Sequence, residues 1–210
     1  MNIYVVRHGE TQWNKEEVFR GRRDVPLNET GKSQAKQAGA YFAGMPVARI
    51  ASSPLVRAVE TAEAIGLATG ASVETAKEFI DINFGVWEGL PLREVKERFP
   101  DDFATWRTSP EKLRIEGGET LDEVRQRASN GLARLAGPDG AVVITTHRVI
   151  CKILVLHLLN IGNEHFWDML YDPGSITLLE GKAGRFTLAF SNDTCHQRDD
   201  RFPGRRYSDF

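Results

Sequence analysis

The chain has 210 residues, 41% of them hydrophobic and 27% charged, which suits one packed domain and excludes a disordered or fibrous chain. Its 27 basic and 29 acidic side chains leave a formal net charge of −2, so no global field draws nucleic acid or an anionic membrane to it, and any cationic site has to be local. The most apolar stretch, Val149 to Leu159, is interrupted by Lys152 and His157 and falls short of the ~20 residues that a spanning helix needs.

Asn2 to Val6 reads as a short apolar strand ending in Arg7-His8-Gly9, which places reactive side chains at a strand end. No basic, apolar and small-residue run in that order marks an export signal, and Cys151 and Cys195 match neither a disulfide framework nor a paired-cysteine zinc motif; a cytoplasmic location is expected. The Asn28-Glu29-Thr30-Gly31 turn leads into a helix over Lys32 to Phe42, where Ala35, Ala38, Gly39 and Phe42 recur at helical spacing. Arg49 to Ser52 is a second strand, Ser53-Pro54 opens a helix from Leu55 to about Leu67, and Ser72 to Ala76 is a third strand. Leu90 to Ile115 is polar, dotted with aromatics and broken by Pro91, Pro100 and Pro110, the pattern of an inserted helical lid. Thr120 to Leu135 is helical by Leu121, Val124, Ala128, Leu132 and Leu135, and Gly137-Pro138-Asp139-Gly140 stops it. Ala141 to Thr145 is a continuous apolar strand ending at Thr146-His147, with an apolar helix from Val149 to Leu159 after it. Ser175 to Leu179 and Phe186 to Phe190 form a closing pair of strands, and His196 to Phe210, rich in Arg and Asp, is expected to be a mobile or loosely docked tail.

Strands alternating with helices predict a three-layer α/β/α sandwich with a largely parallel sheet, built as a single domain over 1–210 with a lid at about 90–118. Its ligand site is expected outside the carboxyl ends of the strands, where both Arg7-His8 and His147 fall. A histidine beside an arginine, with a glycine that lets the backbone turn tightly, suits a nucleophile attacking an anion held by a guanidinium.

At Arg7-His8-Gly9-Glu10-Thr11 the chain resembles the histidine phosphatase superfamily, also called the phosphoglycerate mutase-like family. Asn14, Gly21, Asp24, Pro26-Leu27 and Thr30-Gly31 continue the pattern; Ser52-Ser53-Pro54-Leu55 with Arg57-Ala58 and Thr61-Ala62, then Gly85 with Trp87-Glu88-Gly89, then Gly117-Gly118-Glu119 and Thr146-His147 complete it. A lone Arg-His-Gly is weak, but these ordered motifs run from about residue 3 to 190. The resemblance implies a phosphoryl acceptor at His8, with Arg7, Arg57 and His147 on the phosphoryl oxygens and Asn14 donating an amide hydrogen to the same phosphate. In-line phosphoryl transfer spreads charge over three equatorial oxygens, so such a set of donors meets its needs without a metal, and no organic cofactor is implied.

The position matching the family's general acid is Asp81, where the usual residue is Glu; losing one carbon shortens the reach by about 1.5 Å. Glu78 and Glu88 are the substitutes to consider. Arg148 stands where many relatives have Gly, and Arg20 where they often have a neutral residue; an added cation favours a substrate with a second anionic group, such as phosphoserine or phosphoglycerate. His157 and His165 read as structural, Cys151 as a small core residue, and His196 resembles a C-terminal element of small phosphatases of the family. Taken together, these residues predict a metal-independent phosphomonoesterase acting on a small phosphate ester, closest in pattern to small family members such as phosphoserine phosphatase. A phosphoglycerate mutase and a catalytically impaired regulator that binds phosphorylated ligands are the alternatives. Nucleic acid and membrane are not expected as partners, and a homodimer is left open.

Overall fold

The computed structural model describes residues 1–135, 140–182 and 184–197. One six-stranded sheet organises the chain: β1 (Asn2–Arg7), β2 (Val47–Ser52), β3 (Val73–Thr75), β4 (Ala141–Thr146), β5 (Ile176–Lys182) and β6 (Arg185–Asp193), in the order β3-β2-β4-β1-β5-β6. The neighbours from β3 to β1 are parallel; β5 runs antiparallel to β1, and β6 antiparallel to β5. The largely parallel sheet is therefore present, with the expected closing pair as an antiparallel hairpin at one edge.

Helices cover both faces, and the alternation of side chains along each strand shows how. Ile3 and Val5 of β1 with Val142 and Ile144 of β4 point to one side. There they pack on α6 (Leu121–Leu135) and α7 (Arg148–Leu158). Val6, Ile50 and Val143 point to the other, against α2 (Glu29–Phe42) and α3 (Val56–Thr69). The periodic residues expected to face inward on α6 are all buried. Helix starts fall where side chains satisfy the first free amides: Asn28 Oδ1 accepts from Gly31 N at 2.8 Å, and Asp24 Oδ1 from Val56 N at 2.8 Å. At its far end α3 stops at Gly70, whose φ of 75° suits glycine.

The segment expected to be a lid forms α4 (Leu92–Arg98), α5 (Pro100–Thr108) and a 3-10 turn over Pro110–Lys112. It is bound into the molecule, because Val95, Trp106, Leu113 and Ile115 are buried in the same core cluster as β1 and α7. A short α1 (Gln12–Lys15) and 3-10 turns at Lys77–Phe79, Gly85–Trp87 and Asn163–Asp168 had no periodic pattern to announce them. At the beginning of the expected tail, Cys195–Gln197 form a 3-10 turn, with Gln197 Nε2 donating to Pro173 O at 3.0 Å and His196 Nε2 lying 3.1 Å from Gly174 O. Polar contacts to one tight turn hold these residues, and the His196 ring packs 5.6 Å from that of Tyr41, centroid to centroid. The rest of the expected tail, 198–210, and most of the turn expected to stop α6, 136–139, lie outside the described residues. No helix among the described residues is long and apolar enough to cross a membrane.

Candidate active site

Parallel register brings three strand ends level. Arg7 pairs with Thr146 and Ser52 with Thr145. The ladder continues one step further, with His8 N donating to Thr146 O at 2.9 Å and Ser53 N to Thr145 O at 3.0 Å. His8, Ser53 and His147 therefore leave the sheet side by side. On the far side of β1, Gly174 N donates to the carbonyls of both Arg7 and His8 at 3.0 Å. Backbone crossing fixes the loop after β1: a Cβ on Gly9 would lie 2.4 Å from Gly31 O, and one on Gly31 2.0 Å from Glu10 O. Only glycine allows that approach.

His8 is fully buried, and its Nδ1 lies 2.6 Å from Gly9 O. A carbonyl can only accept, so Nδ1 carries the proton and Nε2 keeps a lone pair. Nε2 has no hydrogen-bond partner among the described residues. Burial first, then the positive charges of Arg57, Arg20 and Arg7, hold the His8 pKa well below the ordinary histidine value, so the ring is neutral near pH 7.

The His147 ring stands 5.1 Å from that of His8, centroid to centroid. Its Nε2 is 2.7 Å from Ser53 Oγ, which also accepts from Leu55 N at 3.3 Å, while Nδ1 faces Asp81 Oδ2 at 3.6 Å. These contacts are all met when Ser53 gives its proton to Nε2 and Nδ1 is the protonated nitrogen. Burial, followed by Arg57, holds this ring too below the ordinary histidine value.

Arg57 is fully buried at the start of α3. It donates to Arg23 O at 2.8 Å, to Gly21 O at 2.9 Å and to Asp81 Oδ2 at 3.3 Å, and its Nε has no partner among the described residues. Burial lowers its pKa, and Asp81 offsets part of that. Arg7 is buried and donates through Nη1 to Tyr171 O. Asp81, despite its missing carbon, reaches the cluster and is only 5% exposed; its Oδ1 accepts from Ile82 N at 3.0 Å.

Glu78 and Glu88 do not reach it. Glu78 pairs with Arg134, and Glu88 Oε1 accepts from Arg22 N at 2.9 Å and Phe84 N at 3.2 Å. Asn14 is occupied locally, its Oδ1 accepting from Thr11 N and Thr11 Oγ1 at 2.9 Å each. No described hydrogen bond joins it to His8, Arg57 or His147.

Beside this cluster lies a narrow cleft, partly open to solvent, lined by Arg20, Asp81, Arg148, Phe19, Phe84 and Val149 among others. Arg20 is 8% exposed, and neither its Nε nor its Nη1 has a partner among the described residues. Burial, then Arg57 and Arg7, press its pKa down. Three guanidiniums thus act on one neutral imidazole with Asp81 as the near carboxylate, an excess of positive charge that a bound anion relieves. Arg148, the first residue of α7, lines the same cleft and lies 5.9 Å from the Trp167 ring centroid. Ser53 lies in the Ser52-Ser53-Pro54-Leu55 motif but with no role attached to it, and the Tyr171 carbonyl carries no sequence signal, because both contacts depend on how distant parts of the chain come together. Among the described residues no three or more His, Cys, Asp and Glu side chains gather as metal ligands would.

A profile of the histidine phosphatase superfamily (branch 1) matches residues 3–194. The chain is 32% identical over 198 residues to phosphoserine phosphatase 1 of Hydrogenobacter thermophilus, covering 93% of this chain and 94% of that one. A probable phosphoglycerate mutase, GpmB, of Salmonella choleraesuis is 32% identical over 167 residues, 77% of this chain and 76% of its own. Among solved structures, YhfR of Bacillus stearothermophilus superimposes with a TM-score of 0.89 at 29% identity, over 94% of this chain and 99% of that one. With the ordered motifs, the sheet that aligns them and a profile match over nearly its whole length, the chain belongs to the histidine phosphatase superfamily, branch 1.

Proposed function

We propose that this chain, acting as one domain, hydrolyses a small phosphomonoester through a phosphohistidine on His8, with no metal or cofactor. The observation that carries the reading is the His8 ring: its Nδ1 is spent on Gly9 O, its buried Nε2 has no partner among the described residues, and the charges of Arg57, Arg20 and Arg7 act on it. The Nε2 lone pair forms a bond to phosphorus as the ester P–O bond breaks, and the leaving oxygen takes a proton from the Asp81 carboxyl. Water then attacks phosphorus, Asp81 takes back a proton, and the P–N bond breaks with its electron pair returning to His8. Arg7, Arg57 and His147 hold the equatorial oxygens, with Asn14 offering its amide from α1.

The substrate carries a second anionic group, which Arg20 and Arg148 meet in the adjoining cleft. A small carboxylated phosphate such as phosphoserine has that chemistry, and the name of the Hydrogenobacter relative agrees. The relative named as a phosphoglycerate mutase favours a second reading, in which the phosphoryl group returns to another hydroxyl of a similar three-carbon acid. The impaired-regulator reading, motivated by Asp81 and Arg148 at positions where relatives usually have Glu and Gly, is weakened on the first count, since Asp81 lies beside His147 and Arg57.

Rapid quench with labelled substrate in the presence of EDTA tests the core of this. Acid-labile, base-stable phosphate is expected on the wild type and none on His8→Ala. Undiminished turnover by His8→Ala overturns the assignment, and label transferred to a second position of the acid in place of release as phosphate favours the mutase.

A further inference from the structure

The segment bearing Asp81 is held from behind by side chains. The 3-10 turn at Lys77–Phe79 runs into residues that belong to no helix or strand, so the carbonyls from the end of that turn onward need other partners. Four consecutive carbonyls find them. Arg127 of α6 donates through Nη1 to Glu78 O at 2.8 Å and Ile80 O at 2.7 Å and through Nη2 to Asp81 O at 3.1 Å, while Thr146 Oγ1 donates to Phe79 O at 2.7 Å. The remaining Arg127 donors go to Glu119, Nε to Oε1 at 3.0 Å and Nη2 to Oε2 at 3.1 Å. All five N–H groups of the guanidinium are thereby used. Glu119 also accepts from Asn83 N at 2.9 Å and from Arg22 Nη2 at 2.9 Å, so the carboxylate fixes the chain on the other side of Asp81.

We infer that Arg127, oriented by Glu119, is a positioning residue that sets how far the Asp81 carboxyl reaches toward the leaving oxygen. This rests on the reading of Asp81 as proton donor. The physical reason is the short side chain: an aspartate has two side-chain torsions and one carbon fewer than the usual glutamate, so a backbone shift cannot be made up by a change of rotamer. A planar fork with five donors in fixed directions defines the position of three carbonyls together, which an ammonium cannot do.

The test is the dependence of kcat/KM on leaving-group acidity across phosphate monoesters from p-nitrophenyl to alkyl, in the wild type, Asp81→Asn, Arg127→Lys, Arg127→Ala and Glu119→Gln. Alkoxides need protonation in the transition state and p-nitrophenolate much less. Loss of a general acid therefore raises the aryl-to-alkyl ratio by about 10²–10⁴-fold, and misplacing one by ~1 Å by about 10²-fold. Asp81→Asn is expected to show the full rise, and Arg127→Ala and Glu119→Gln a rise of about 10–100-fold, with Arg127→Lys between the wild type and Arg127→Ala. If Arg127→Ala does not fold, Arg127→Lys and Glu119→Gln carry the test. A raised ratio in Asp81→Asn with proportionate losses for both substrate classes in the Arg127 and Glu119 variants makes Arg127 merely structural and overturns the inference. An unchanged ratio in Asp81→Asn overturns the proton-donor reading itself, and the inference with it.

Discussion

A buried guanidinium with unpaired N–H groups is costly to keep, and Arg20 is such a residue, with Nε and Nη1 unpartnered among the described residues and Arg57 and Arg7 repelling it. Under the proposed chemistry its acceptor is the second anionic group of the substrate. Charge-assisted hydrogen bonds of this kind contribute about 1.5–3 kcal/mol, so Arg20→Ala should raise KM for phosphoserine by roughly ten- to a hundredfold. The KM for p-nitrophenyl phosphate, which has no such group, should rise much less. Steady-state kinetics on both substrates decides the matter: equal rises would move Arg20 into the phosphoryl-binding set. Much of this scale was legible without the fold. His8, Arg57 and His147 stand out through their motifs, and Asp81 was found where the family pattern puts it. That the shorter carboxylate still comes within 3.6 Å of His147 was not legible, because reach depends on where the backbone lies.

At the scale of elements, the crossing of the β1–α1 loop over the first turn of α2 locates His8. Gly9 and Gly31 meet there backbone to backbone, with Glu10 N bonded to Gln34 Oε1 at 2.8 Å and Asn28 N to Glu10 O at 3.0 Å. Gly31→Ala places a methyl where Glu10 O now lies, so loop and helix must separate. Overpacking of this kind costs about 1–3 kcal/mol, and the shift is carried to His8 two residues away. A lower urea midpoint is expected together with a fall in kcat larger than the stability loss explains. Unchanged stability and rate would show that the crossing is pliable. Sequence periodicity found the helices and strands to within a few residues because burial on one face repeats at the spacing of the element itself. It missed α1 and the 3-10 turns, which are too short to repeat anything.

On the scale of the whole molecule, enclosing two neutral imidazoles links stability to pH. His8 and His147 both have pKa values lowered by burial and by the arginines, whereas in the unfolded chain they titrate near 6.5. Below about pH 6.5 the unfolded state therefore binds protons that the folded state does not, and stability falls as pH falls. The slope is at most ~1.4 kcal/mol per pH unit for each ring until its folded-state pKa is reached. Urea unfolding between about pH 7 and pH 5 should show the wild type losing stability more steeply than His8→Gln or His147→Gln. Parallel slopes would mean that these rings titrate in the folded state as they do in the unfolded chain.

Length, composition and the periodicity of apolar residues were enough to predict the α/β/α layers and the largely parallel sheet, since each depends on neighbours a few residues apart in the chain. Short motifs were enough to find the residues at the strand ends. The tertiary structure alone decided which of them meet. Ser53 lies against His147 from 94 residues away, Tyr171 O holds Arg7 across 164, and Arg127 grips the Asp81 segment from α6. The first arises because parallel strands from distant parts of the chain end at one level, and the other two because a loop and a helix pack against that level; partners there are set by register and packing, which no local pattern encodes.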